Sequence, residues 1–107
     1  ELGLGTEAVI VTGAASGIGA AIARMLVGEG VGGLVLTDRD EAGLARLADG
    51  LSAVPVASVV ADLADTGAPA AIAEATVARF GRIDGLVNAA GLTTRGSFET
   101  GTPAIWD

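Results

Sequence analysis

The stretch Ala8-Val9-Ile10-Val11-Thr12-Gly13-Ala14-Ala15-Ser16-Gly17-Ile18-Gly19 decides how this chain is read. Its first part is short, apolar and β-branched, which predicts a buried strand over residues 8–12. A glycine-rich turn follows, and Ile18, Ile22, Met25 and Leu26 then recur at helical spacing. That spacing predicts a helix from Gly17 to about Glu29 with these four residues on its buried face. A helix that opens directly from such a turn leaves backbone N–H groups unpaired at its start, where the helix dipole adds partial positive charge. A pyrophosphate fits there. A Walker-type phosphate loop would end in Gly-Lys-Ser/Thr, and the chain contains no Lys. Gly13 and Gly17 also spell the spacing of a membrane helix dimer, but no membrane span surrounds them.

Outward from this segment, strands and helices alternate. Gly28, Gly30, Gly32 and Gly33 end the first helix and supply a turn. Leu34-Val35-Leu36-Thr37 predicts a second strand ending at Asp38. A second helix is expected from Asp40 to Gly50, with Leu44 and Leu47 inward. Pro55 to Val60 reads as a third strand, and Pro55 suits its first position or an edge. Asp62 and Asp65 flank a loop. Thr66 is the expected cap of a third helix running to Phe80, with Pro69 in its first turn and Ile72, Thr76, Val77 and Phe80 toward the sheet. Gly81 ends it, and Ile83 to Asn88 reads as a fourth strand. Residues 92–101 read as a loop, and Thr102-Pro103 as the cap and first position of a fourth helix that reaches Asp107. The βαβαβαβ order predicts an α/β fold, a doubly wound parallel sheet of Rossmann type, broken off after the fourth strand and the start of the fourth helix. The apolar, non-alternating strands fit a sheet covered on both faces.

Composition limits the chemistry. The 107 residues suffice for one domain. Thirteen acids against six bases give a net charge of −7, which opposes a general nucleic-acid or anionic-membrane surface. There is no Cys, so disulfides and thiolate chemistry are excluded, and no His, the usual general base and commonest metal ligand. Lys and Tyr are also absent. Proton transfer would fall to carboxylates, hydroxyls or water, a kit better suited to holding a ligand than to transforming it. No run approaches the ~18–20 apolar residues of a membrane span. Residues 1–7 lack the basic start and apolar stretch of a secretion signal. A soluble cytoplasmic protein is expected.

Four places could carry a ligand. The glycine turn offers Gly13, Gly17 and Gly19 with Ser16 and Ile18 beside them. Asp38, at the end of the second strand, can accept hydrogen bonds from the adenosine ribose hydroxyls and would repel a 2′-phosphate. Asp38 could instead be a helix cap ahead of Glu41. Arg39 beside it could accommodate a 2′-phosphate, so NAD is favoured and NADP stays possible. Asp62, with Leu63 after it, stands at the end of the third strand, where ligands of doubly wound sheets bind; it is placed to accept from an adenine amino group or simply to start a turn. Asn88-Ala89-Ala90-Gly91 ends the fourth strand, where small residues let a ligand lie against the backbone and the Asn88 amide could tie strands together. Arg79 and Arg82 read as solvated surface, Arg95 as a residue of the loop above the site, and Trp106 as a core anchor for the fourth helix.

Together, Thr12-Gly13-Ala14-Ala15-Ser16-Gly17-Ile18-Gly19, Thr37-Asp38-Arg39, Ala61-Asp62-Leu63 and Leu86-Val87-Asn88-Ala89-Ala90-Gly91 resemble the short-chain dehydrogenase/reductase family, over essentially the whole chain. The Thr-Gly-x-x-x-Gly-x-Gly spacing and the closing Trp106-Asp107 belong to the same likeness. The resemblance implies a partial dinucleotide-binding domain over residues 1–107 with strand order 3-2-1-4. It implies an NAD(P)-dependent oxidoreductase that transfers hydride between nicotinamide and a small-molecule alcohol/ketone pair, and a homo-oligomer when intact. By that resemblance Gly13, Gly17 and Gly19 line the pyrophosphate turn, with Ser16 and Ile18 approaching phosphates and ribose. Asp38 binds the adenosine ribose, Asp62 and Leu63 hold adenine, Asn88 steadies the sheet with Thr12 hydrogen-bonding toward it, and Ala89, Ala90 and Gly91 border the cofactor ribose. The family's catalytic Asn, Ser and Tyr-x-x-x-Lys lie further along than this sequence reaches, so no catalytic residue is expected within it, and Asn88 is the structural Asn. Two other classes compete. One is a non-catalytic dinucleotide-binding or regulatory module. The other is a Rossmann-like methyltransferase, which shares a glycine turn and a strand-two carboxylate but is disfavoured by Gly17-Ile18-Gly19 and the Asn88 motif.

Overall fold

The structure, a computed structural model, describes residues 6–89. Along the chain run β1 (Ala8–Thr12), α1 (Gly17–Gly28), β2 (Gly33–Asp38), α2 (Glu41–Asp49), β3 (Val56–Val60), α3 (Ala68–Phe80) and β4 (Gly85–Asn88). The strands form one sheet in the order β3-β2-β1-β4, and every pairing is parallel. This is the Rossmann-like arrangement and strand order that the sequence leads one to expect. The loop over residues 92–101 and the helix start at Thr102-Pro103 lie outside the described residues, as do Arg95 and Trp106.

The two central strands explain the layering. Side chains of a strand alternate between its faces. From β1 and β2, Val9, Val11, Leu34 and Leu36 join Ala23 of α1 and Leu44 and Leu47 of α2 in one buried cluster. Ile10 and Val35 point the other way and meet Ala68 and Ile72 of α3, with Phe80 and Leu86 packed against them. Both faces are thus covered, so β1 is buried at all five positions and needs no polar alternation. β3 occupies an edge and is only partly buried, and Pro55 sits just before it, giving its carbonyl to the Leu34 N–H at 3.0 Å.

Three expectations are corrected. Met25 is 58% exposed, because α1 meets the sheet through Gly19 and Ala23. Small residues allow the closer approach, and at about 100° per residue Met25 lies nearly opposite them. Val77 is 50% exposed, because the buried stripe of α3 runs through Ile72 and Thr76. The Thr76 hydroxyl survives burial by donating to the Ile72 carbonyl at 2.7 Å. Thr66 does not cap α3: Gly67 is the N-cap and contributes no side-chain bond. The Ala68 N–H is instead taken by the Asp65 carbonyl at 3.1 Å, and Pro69 has no N–H to satisfy. Among the described residues, no helix is long and apolar enough to cross a membrane.

The strand β4 also begins later than expected, at Gly85. Ahead of it, Asp84 replaces the ladder with its side chain. Its N–H donates to the Ala8 carbonyl at 2.9 Å, and its Oδ2 accepts the Ala8 N–H at 2.8 Å. Arg82 grips the same carboxylate with two bonds of 2.7 Å. The Arg82 guanidinium, assisted by the Ala8 N–H, holds the Asp84 carboxyl below its ordinary value of 3.8. A carboxyl depressed in the native state stabilises it above the unfolded pKa, and this contribution is lost as pH falls through the native value. Asp84→Ala is expected to cost about 1–2 kcal/mol at neutral pH. The difference from wild type should close as thermal unfolding is repeated below the ordinary carboxylate range.

Candidate functional site

The site is built where β1, β2 and β3 end. Gly13 follows β1 with φ of 65°, a left-handed conformation that turns the chain sharply and that side chains resist. Ser16 then caps α1. Its Oγ accepts the Gly19 N–H at 3.0 Å, and its hydroxyl donates to the Gly13 carbonyl at 2.7 Å. With Gly19 so capped, Gly17 and Ile18 hold the first two helical positions, whose N–H groups precede any intrahelical acceptor.

The three glycines differ in what surrounds them. A Cβ at Gly19 would collide with the Gly13 carbonyl and come within 2.8 Å of the Ala14 Cα. Gly19 is therefore required by the close contact of helix and turn. A Cβ at Gly17 would meet no heavy atom within 4 Å. Packing gives no reason for glycine at 17, so the open space in front of its backbone is free for a ligand. Ile18 is half-buried and, together with Gly17, lines a separate apolar hollow with Ala21, Ile22 and Met25.

A cleft of about 300 Å³ opens over these strand ends, at the lower end of small-molecule sites. Gly13 and Ser16 form one side, Asp38 and Arg39 the second, Asp62 and Leu63 the third. Six residues singled out from sequence therefore converge on one space. Thr37 and Ala61 line it as well. Both stand in motifs quoted from the sequence, though neither is read there as a ligand position; Thr37 is buried between strands, its hydroxyl donating to the Val59 carbonyl at 2.7 Å.

The carboxylates are already engaged. Asp38 accepts the Ala15 N–H on Oδ2 and the Asp40 N–H on Oδ1, both at 2.9 Å. It is not the cap of α2, which is Asp40, accepting the Gly43 N–H at 3.0 Å. Asp62 accepts the Ala64 N–H at 2.9 Å, so this aspartate starts a turn as well as facing the cleft. Leu63 is 37% exposed and also lines a second, more apolar hollow of about 210 Å³ between α3 and β4. Asn88 lies on the rim of that hollow and accepts the Thr12 hydroxyl on Oδ1 at 2.8 Å, locking β4 to β1. Ala89 is buried behind it. Ala90 and Gly91 lie outside the described residues.

The contrast between the glycines gives a stability test. Gly19→Ala is expected to lower stability by about 1–3 kcal/mol, since the backbone it would strike cannot yield cheaply. Gly17→Ala should leave Tm unchanged or slightly raised. Thermal unfolding of the two variants side by side checks both.

Known proteins agree with this geometry. A profile of the family described as short chain dehydrogenase matches residues 7–107. An uncharacterized oxidoreductase of Staphylococcus saprophyticus is 41% identical over 105 residues, 94% of this chain and 44% of that protein. A short-chain dehydrogenase/reductase from Burkholderia phymatum, solved in complex with NAD, superposes with a TM-score of 0.74 at 34% identity, covering 80% of this chain and 31% of that one. A metagenomic short-chain oxidoreductase solved in complex with NADP gives a TM-score of 0.71 at 40% identity, covering 78% of this chain and 38% of that one. The chain thus spans less than half the length of the relatives it matches. A match to the family profile across nearly every residue, with the glycine turn and the strand-end carboxylate in one cleft, makes this chain a member of the short-chain dehydrogenase/reductase family.

Proposed function

We propose that this chain is the dinucleotide-binding part of an NAD-dependent oxidoreductase acting on an alcohol/ketone pair. The observation that carries the reading is a cleft walled by Gly13 and Ser16 of the glycine turn and by the Asp38 carboxylate, next to a helix N-terminus whose first residue, Gly17, has open space in front of its backbone. The cofactor-bound structures of relatives support it. The residues present fit such a ligand. N–H groups at Gly17 and Ile18, with the dipole of α1 behind them, would take the pyrophosphate; Gly13 and Gly19 hold the turn and Ser16 closes it. Asp38 would accept the adenosine ribose hydroxyls, and Asp62 and Leu63 would border adenine. Asn88 would keep β4 in register beside the ligand, with Ala89, Ala90 and Gly91 leaving room along its edge.

When bound, nicotinamide carries the hydride. A hydride added to a ketone leaves an alkoxide that needs a proton, and these 107 residues contain no Tyr, Lys, His or Cys to give one. We therefore place the acid–base group in sequence beyond these residues. The same reading makes the intact protein a cytoplasmic homo-oligomer that works on a small molecule rather than on nucleic acid or membrane.

Two measurements test it. Gly17→Val would fill the open space without striking the fold, so its NADH affinity, read by fluorescence titration, is expected to fall about tenfold or more while Tm holds. Undiminished affinity sinks the assignment. In wild type, NAD is expected to bind more tightly than NADP because Asp38 repels a 2′-phosphate. Arg39→Ala should widen that gap by weakening NADP alone.

A further inference from the structure

We infer that Asp38 is a positioning residue for the glycine turn, over and above the ribose contact proposed for it. The Asp38 Oδ2 accepts the N–H of Ala15, in the middle of the turn, at 2.9 Å. Its neighbour Thr37 gives its backbone carbonyl to the N–H of Ala14 at 3.0 Å. Two consecutive residues of the turn therefore hang from the end of β2. The other Asp38 oxygen accepts the N–H of Asp40 at 2.9 Å, so the carboxylate is fixed from both sides.

The fixing is specific to a carboxylate. Each of its oxygens has two lone pairs and neither donates, so both backbone N–H groups are satisfied and acceptor capacity remains on the cleft side. Bonds from N–H groups to an ionised acceptor are also the stronger kind. An Asn in its place carries one acceptor and one donor head. Two N–H groups point at those heads, so one of them must face a donor. Either Ala15 or Asp40 then loses its partner.

A contact from α2 supports the same view. A Cβ at Gly43 would stand 2.8 Å from the Ala15 methyl group and collide with the Asp40 carboxylate. The first turn of α2 thus lies against Ala15 from one side while Asp38 holds its N–H. The β2–α2 corner sets the shape of the turn before any ligand arrives. It follows that discrimination at the 2′ position and geometry at the pyrophosphate are coupled through one side chain. Removing the Asp38 charge cannot simply admit a 2′-phosphate, because it also frees the turn.

This inference rests on the dinucleotide reading for what the turn holds, but the bond to Ala15 can be read without ligand. The experiment compares wild type with Asp38→Ala, which takes the acceptor from both amides, in the intact protein. Amide hydrogen exchange is followed by NMR without cofactor, and NAD and NADP are titrated separately. The expected result is exchange at Ala15 faster by about tenfold or more, with Val11 and Leu36 in the core still protected. Affinity for NAD should fall by about tenfold or more, and that for NADP should fall less, because relief of the 2′-phosphate repulsion offsets part of the loss. An Ala15 amide that keeps its protection in Asp38→Ala overturns the inference, as does a variant that loses NAD while holding or strengthening NADP. Should Asp38→Ala fail to fold, the ligand-free wild type decides: an Ala15 amide exchanging at an unprotected rate overturns it, and a protected one supports it. A wild type that binds neither dinucleotide would defeat the proposed function and leave the exchange result at Ala15 standing on its own.

Discussion

The carbonyl of Gly13 lies against the backbone of α1 at Gly19, so close that no side chain could stand between them. The rest of the site depends on this contact. It brings the N-terminus of α1 directly over the end of β1. It also requires a turn tight enough to need φ of 65° at Gly13, and that turn is held shut by Ser16 bonding to both sides of it. Once α1 is pinned there, its axis must lie low over the sheet. Low approach favours Ala23 as the next buried position and turns Met25 outward.

The parallel sheet supplies the second wall. In the order β3-β2-β1-β4 the ends of three adjacent strands stand side by side, so Gly13, Asp38 and Asp62 are neighbours although a helix and a strand separate each from the next in sequence. The register is guarded at both ends of the β1–β4 pair. Thr12 bonds to Asn88 at one end, and Asp84 takes the Ala8 N–H at the other. Both are side-chain bonds where the ladder runs out, which keeps buried backbone groups paired without lengthening the strands.

What could be read from sequence follows from what is local. The order of elements was legible because β1, β2 and β4 are short apolar runs and the helices between them carry caps and glycine stops. Gly13, Asp38 and Asp62 were legible because strand ends are local features and topology alone brings them together. The face of each helix was less so. Met25 and Val77 are apolar at plausible spacing, yet which stripe is buried depends on how close the helix comes, and that is set by Gly19 and by Thr76. Thr76 is polar by type and is buried because its hydroxyl finds the Ile72 carbonyl. Gly43 carried no signal, and Thr37 was legible only as a strand and motif position, not by what its hydroxyl does. Each matters through a residue distant in sequence, Val59 for one and Ala15 for the other.

A net charge of −7 sits oddly with a site proposed for an anionic ligand, and the geometry resolves the conflict by distance. Charges spread over the surface act through water and are screened beyond about 8 Å at physiological salt. The N–H groups at Gly17 and Ile18 would act at hydrogen-bond range, with the dipole of α1 fixed behind them. Short-range donors of this kind need no Lys or Arg and no rearrangement when the ligand arrives. The acidic surface then has its effect on approach and not on the bound state, since long-range repulsion slows encounter and is relieved by salt. Asp38 would belong to the bound state: two of its acceptor sites are spent on backbone N–H groups, and in the proposed complex the remainder would face ribose hydroxyls. One negative group can therefore stand beside a turn proposed to hold a pyrophosphate without opposing it, because its charge is partly answered by the same backbone that shapes the turn.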